Sequence, residues 1–98
     1  MTASKEYSKA FVAEWEGPPR RRLYLCQDLP LPNDAPPEMI SGWTFQFDVQ
    51  NEDGEWRPGW DTWEETYSEI IMYPPAYAPK DIEWFDVDSG KPVDIYNL

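Results

Sequence analysis

Histidine is absent from this chain, and cysteine occurs once, at Cys26. Without an imidazole there is no Ser-His or Cys-His catalytic pair and no His-containing zinc site. One thiol makes neither an intrachain disulfide nor a CxxC redox pair. Basic residues are also scarce: eight Lys and Arg stand against nineteen Asp and Glu, for a formal charge of −11 over 98 residues. That balance opposes direct contact with nucleic acid or with an anionic membrane. No stretch approaches the ~20 apolar residues of a membrane helix. The N-terminus, Met1-Thr2-Ala3-Ser4-Lys5-Glu6, leads into no signal-peptide core. A lone cysteine fits a reducing compartment, and the expected location is the cytoplasm.

What the chain has in plenty is aromatic rings: six Trp, six Tyr and four Phe. Disordered acidic tails are poor in such residues. Each ring can bury a large apolar area, so an aromatic-rich core is expected. Nine of the eleven prolines, with Gly17 and Gly42, punctuate the chain around 17–22, 28–42 and 74–79. No segment between these breaks is large enough for its own core, so residues 1–98 are expected to form a single compact domain.

Trp43, Phe45, Phe47 and Val49 alternate with Thr44, Gln46, Asp48 and Gln50, the period-two pattern of a half-buried strand. Asn51-Glu52-Asp53-Gly54 supplies a turn, and Glu55-Trp56-Arg57 a returning strand that Pro58 should end. Thr62 with Glu65 fits a helix capping box. Trp63, Tyr67, Ile70 and Ile71 then fall on one helical stripe, ending before Pro74 and Pro75. Further strands are expected at 22–27 and, as a second hairpin, at 82–87 and 93–96 around Asp88-Ser89-Gly90-Lys91. The segment 4–16 fits a helix through Tyr7, Phe11 and Trp15, or a strand through Phe11, Ala13 and Trp15, with the helix preferred. The sum is an α+β fold: an antiparallel sheet of four or five strands with one or two helices packed on it.

Catalytic and metal sites are weakly supported. Adjacent acids such as Glu52-Asp53 and Glu64-Glu65 point into solvent rather than across a cleft, so no enzyme activity is expected. Asn51, Asp53 and Glu55 near Gly54 resemble a calcium loop, but Val49 and Trp60 fall where it needs oxygen ligands. No metal and no cofactor is expected. Trp56, Trp60 and Trp63 within eight residues could stack on sugars, though core roles for at least two are preferred. Arg20-Arg21-Arg22 is expected to pair internally with nearby acids.

The most informative signal is charge asymmetry. From Leu23 to Leu98 there are sixteen acids and three bases, Arg57, Lys80 and Lys91. Such a surface repels itself, and it would be drawn to a basic groove, most strongly at low salt. Basic grooves are commonly nucleic-acid sites. The expected function is a protein-binding inhibitor whose carboxylates lie where phosphates would. The expected partner is a protein with a basic surface. The candidate contact residues are Asp61, Glu64, Glu65 and Glu69, the turn acids Glu52, Asp53 and Glu55, and the rings Trp56 and Trp60. Alternatives are an assembly subunit using the aromatic patch and a carbohydrate-binding module. In general character, small, acidic and lacking catalytic residues, the whole chain is similar to phage-encoded DNA-mimic, anti-restriction and anti-CRISPR inhibitors. No motif stands behind that resemblance, and it places no residue.

Overall fold

The computed structural model describes residues 7–17 and 19–98. Six strands form one sheet: β1 (Tyr7–Trp15), β2 (Arg21–Asp28), β3 (Trp43–Gln50), β4 (Trp56–Glu64), β5 (Trp84–Asp86) and β6 (Pro92–Val93). Their order across the sheet is β4-β3-β2-β1-β5-β6, and every neighbouring pair is antiparallel. Among the described residues helix is confined to two single turns, α1 (Tyr67–Ile70) and α2 (Pro74–Tyr77). The expected α+β fold is therefore corrected to a sheet-rich one, with six strands and a short bent helical segment in place of a packed helix.

The register explains which residues are inside. Phe11 faces Leu25, which faces Phe45; Ala13 faces Leu23, which faces Phe47. Directly opposed residues share a face, so these rows make one apolar face across the three longest central strands. Ile70 of α1, Trp84 of β5 and Ile95 near the C-terminus close over it, and all are buried. Trp43 meets Tyr67 edge-on at 4.6 Å between ring centroids, and Phe45 stacks on Tyr73 at 5.8 Å. Tyr67 also donates its hydroxyl to the Ile95 carbonyl at 2.7 Å, tying α1 to the C-terminal segment.

Three expectations about elements change. The segment 4–16 is not a helix: from Tyr7 it is β1, held between β2 and β5, while residues 4–6 lie outside the described residues. Helical spacing and strand alternation coexist there, and hydrogen-bonding partners on both sides decide for the strand. The returning strand does not stop at Pro58 but runs to Glu64, because β4 is the end strand of the sheet. An end strand tolerates a residue with no N–H. The helix cap is not Thr62 but Thr66, whose Oγ1 accepts from the Glu69 N–H at 3.3 Å. Trp63 thus leaves the expected helix and joins β4. Extending β4 to Glu64 gives β3 a partner along its whole length, so the backbone groups of β3 are paired rather than left for side chains to satisfy.

The register of β4 shifts once. Phe47 opposes Trp60 and Asp48 opposes Pro58, leaving Gly59 as the extra residue of a bulge. A Cβ on Gly59 would lie 2.8 Å from the Phe47 ring and 3.0 Å from its carbonyl oxygen, so the bulge closes only over glycine.

Candidate functional site

The sheet has two faces and only one carries the helical turns. The other presents Val12 and Glu14 of β1, Arg22, Tyr24 and Cys26 of β2, Thr44, Gln46 and Asp48 of β3, and Asp61 and Trp63 of β4. Few of these are apolar, which is the polar phase of each strand's alternation.

An ion-pair network organises one half of this face. The Arg22 guanidinium donates to Asp48 Oδ2 from Nη2 at 3.1 Å and Nε at 3.4 Å. It lies 4.1 Å from the Trp56 ring centroid and 4.9 Å from that of Tyr24. Gln46 donates to Asp48 Oδ1 at 2.8 Å. Asp48 is only 2% exposed, so its charge is desolvated, and Arg22 and Gln46 together satisfy it. Removing Arg22 alone would strand a buried carboxylate, a loss of about 3–5 kcal/mol. Glu14 receives Arg22 at 3.9 Å and Arg20 at 3.0 Å, and Arg20 also pairs with Glu16. Two of the three consecutive arginines thus pair inside the molecule, in line with the reading of that motif above.

Beside this network lies a cleft of about 360 Å³, lined by Tyr7, Tyr24, Cys26, Asp28, Thr44 and Gln46. Asp28 closes one end. Its Oδ2 accepts from the Gly42 N–H and from the Trp63 Nε1–H, each at 2.9 Å. Gly42 has to be glycine: a Cβ there would lie 2.4 Å from the Glu64 carbonyl oxygen and the Trp63 ring. Burial, reinforced by Asp28 and Asp48, pushes the Cys26 thiol up to about 11. Both effects favour the neutral thiol over the thiolate at neutral pH.

The acids expected to bind a partner are distributed along β4 and beyond both its ends. Glu52, Asp53 and Glu55 occupy the β3–β4 turn, where Gly54 adopts φ +89°. Asp61 projects from the sheet face opposite the helical turns, across from Gln46. Glu64 ends the strand and accepts from the Tyr73 hydroxyl at 2.6 Å. Glu65 follows it, and Glu69 sits in α1, where it also receives the Thr66 hydroxyl at 2.8 Å. At ~3.3 Å per residue the nine-residue strand separates the two groups by about 27 Å. They do not form one cluster. They mark the two ends of one end strand, with Asp61 between them and Arg57 as the base near the turn.

The rings divide between the faces. Trp60 packs with Phe45, Tyr73 and Tyr77 at centroid distances of 5.7, 6.2 and 5.0 Å. Trp56 lies over Arg22 on the opposite face, and Trp63 is 43% exposed there. Trp56 and Trp60 do not make one patch, and only Trp60 belongs to the core side. Residues four apart in a strand share a face; the bulge at Gly59 reverses that here.

Sequence reasoning passed over Tyr7, Tyr24, Asp28, Thr44 and Gln46. For the last four the signal is the polar phase of the alternation in 22–28 and 44–50. What brings the two phases side by side is the β2–β3 register, set across a connection of fourteen residues. Among the described residues no group of three or more His, Cys, Asp or Glu side chains is placed to hold a metal ion, and no helix is long and apolar enough to cross a membrane. No protein-family model, no curated protein and no solved structure matches the chain.

Proposed function

We propose that this chain is an acidic binding protein that inhibits a partner by occupying its basic, nucleic-acid-binding surface, as phage and mobile-element DNA mimics do. The observation that carries the reading is the acidic end strand. Among the described residues β4 has a sheet neighbour on one side only, and Glu52, Asp53, Glu55, Asp61, Glu64, Glu65 and Glu69 are strung along it and past its ends. One strand of B-DNA carries a phosphate every ~3.4 Å, roughly eight over the ~27 Å that β4 spans. The seven carboxylates present a comparable charge over a somewhat longer path. The internal pairing of Arg20 and Arg22 adds to this, because it turns those bases away from neutralising the β4 acids. The proposed setting is the cytoplasm, where the single thiol of Cys26 stays reduced.

An assembly role through a Trp56–Trp60 patch has less support, since those rings point to opposite faces. Glu52, Asp61 and Glu65 are exposed and suit a test by charge reversal. The variant Glu52→Lys/Asp61→Lys/Glu65→Lys should stay folded, as exposed substitutions shift stability by within ~0.5 kcal/mol each. Wild-type protein immobilised at low salt should retain a basic host protein, release it at about 0.3 M NaCl, and lose it to competing duplex DNA. The triple variant should not retain that protein. If it holds the same protein as tightly at the same salt, the acidic strand is not the contact.

A further inference from the structure

The face opposite the helical turns already holds one cation. Arg22 is gripped there by a carboxylate, Asp48, and by two rings, Tyr24 and Trp56. One step along β2 the same elements recur, with no cation among the described residues that line them. The cleft on the Cys26 side of Tyr24 is walled by Tyr24 and Tyr7 and carries the carboxylate of Asp28. Arg22 does not line it, and no basic side chain is among its described walls. Both hydrogen bonds received by the Asp28 side chain fall on Oδ2, so among the described residues no donor engages Oδ1. Gln46 and Thr44 complete the walls. Aromatic faces and an ionised carboxylate together attract a cation more than either does alone, and rings favour a soft alkylammonium over a bare metal ion.

We propose that this cleft is a socket for one alkylammonium group, the side chain of a lysine presented by the basic partner. The proposal rests on the function proposed above and deepens it by naming a specific anchor on that partner. Asp28 Oδ1 receives the ammonium, the rings of Tyr7 and Tyr24 flank its methylenes and charge, and Trp63 holds Asp28 in place through Oδ2. The long β4 acids would then guide the encounter, and the socket would fix the register.

The test needs no partner, so it fails or succeeds separately from the inhibitor reading. Nα-acetyl-lysine methylamide is titrated into the full chain while the Tyr7, Tyr24 and Trp63 side-chain NMR signals are followed. Saturable shifts of these signals are expected, with none for the Nε-acetylated analogue, which keeps the methylene chain and loses the charge. Asp28→Asn keeps a carbonyl oxygen for Gly42 and Trp63, so it should fold and weaken binding at least tenfold. Tyr7→Leu, at the start of β1, should weaken it several-fold. The acidic-strand triple variant should bind the probe within about twofold of wild type. Equal binding of the acetylated analogue, or an unaltered affinity in both folded variants, overturns the socket. A tenfold preference for n-butylammonium over the capped lysine overturns the assignment to a protein side chain and gives the cleft to a free amine.

Discussion

The environment of Cys26 shows how the sheet assigns roles to single residues. Its neighbour Leu25 is fully buried on the helix side, while Cys26 faces the cleft between Tyr24 and Asp28. A thiol in an opening looks available for chemistry, yet desolvation and the adjacent carboxylates oppose the thiolate. With the thiol near 11 rather than 9, the thiolate fraction at pH 8 falls about a hundredfold. Alkylation of the native protein by iodoacetamide at pH 8 should accordingly run ~100-fold slower than that of a free thiol, and reach the ordinary rate in urea. Rapid native alkylation would show that burial and the adjacent carboxylates do not hold the thiol protonated. The partial burial of Cys26 is legible from its place beside Leu25 in a β-prone run. Its proximity to Asp28 across the cleft is not, because that depends on side-chain direction in β2.

At the scale of elements, patterning was informative where one period dominated and misleading where two overlapped. Trp43 to Gln50 has a clean period of two, and it is β3. Residues 62–71 contain two capping boxes in succession, Thr62-x-x-Glu65 and Thr66-x-x-Glu69, and local chemistry does not choose between them. The sheet does: Thr62 opposes Phe45 in the ladder and is not free to cap. The same holds for 7–15, where β2 and β5 supply hydrogen bonds that a helix would forgo. Thr66→Ala should therefore lower stability by about 1 kcal/mol, the usual cost of losing an N-cap. Thr62→Ala should show no capping loss, and its effect should instead depend on packing beside Phe45. Equal helical destabilisation by both, read by denaturant midpoints and circular dichroism, would place the cap where the sequence alone suggests.

Across the whole molecule the question is what a charge of −11 does to a chain of 98 residues. Two effects of salt oppose each other in the free protein. Screening weakens the exposed pairs that Arg20 makes with Glu14 and Glu16, which costs little because such pairs contribute little. It also relieves repulsion among the acids of β4 and its flanks, spaced within the ~30 Å Debye length of 0.01 M salt but mostly beyond the ~8 Å of 0.15 M. The desolvated Arg22–Asp48 pair is nearly insensitive to either. Repulsion should win, and the melting temperature should rise by several degrees between 0.01 and 0.15 M NaCl, as ~1 kcal/mol moves a domain of this size by about 4–8 °C. Partner binding should weaken over the same range, since its attraction is screened by the same ions. Opposite responses of stability and affinity to one variable are what a surface charged for binding, at a cost to its own fold, must show. A melting temperature that falls with salt would mean that the acids are dispersed enough to be harmless, and the charge would then need no partner to explain it.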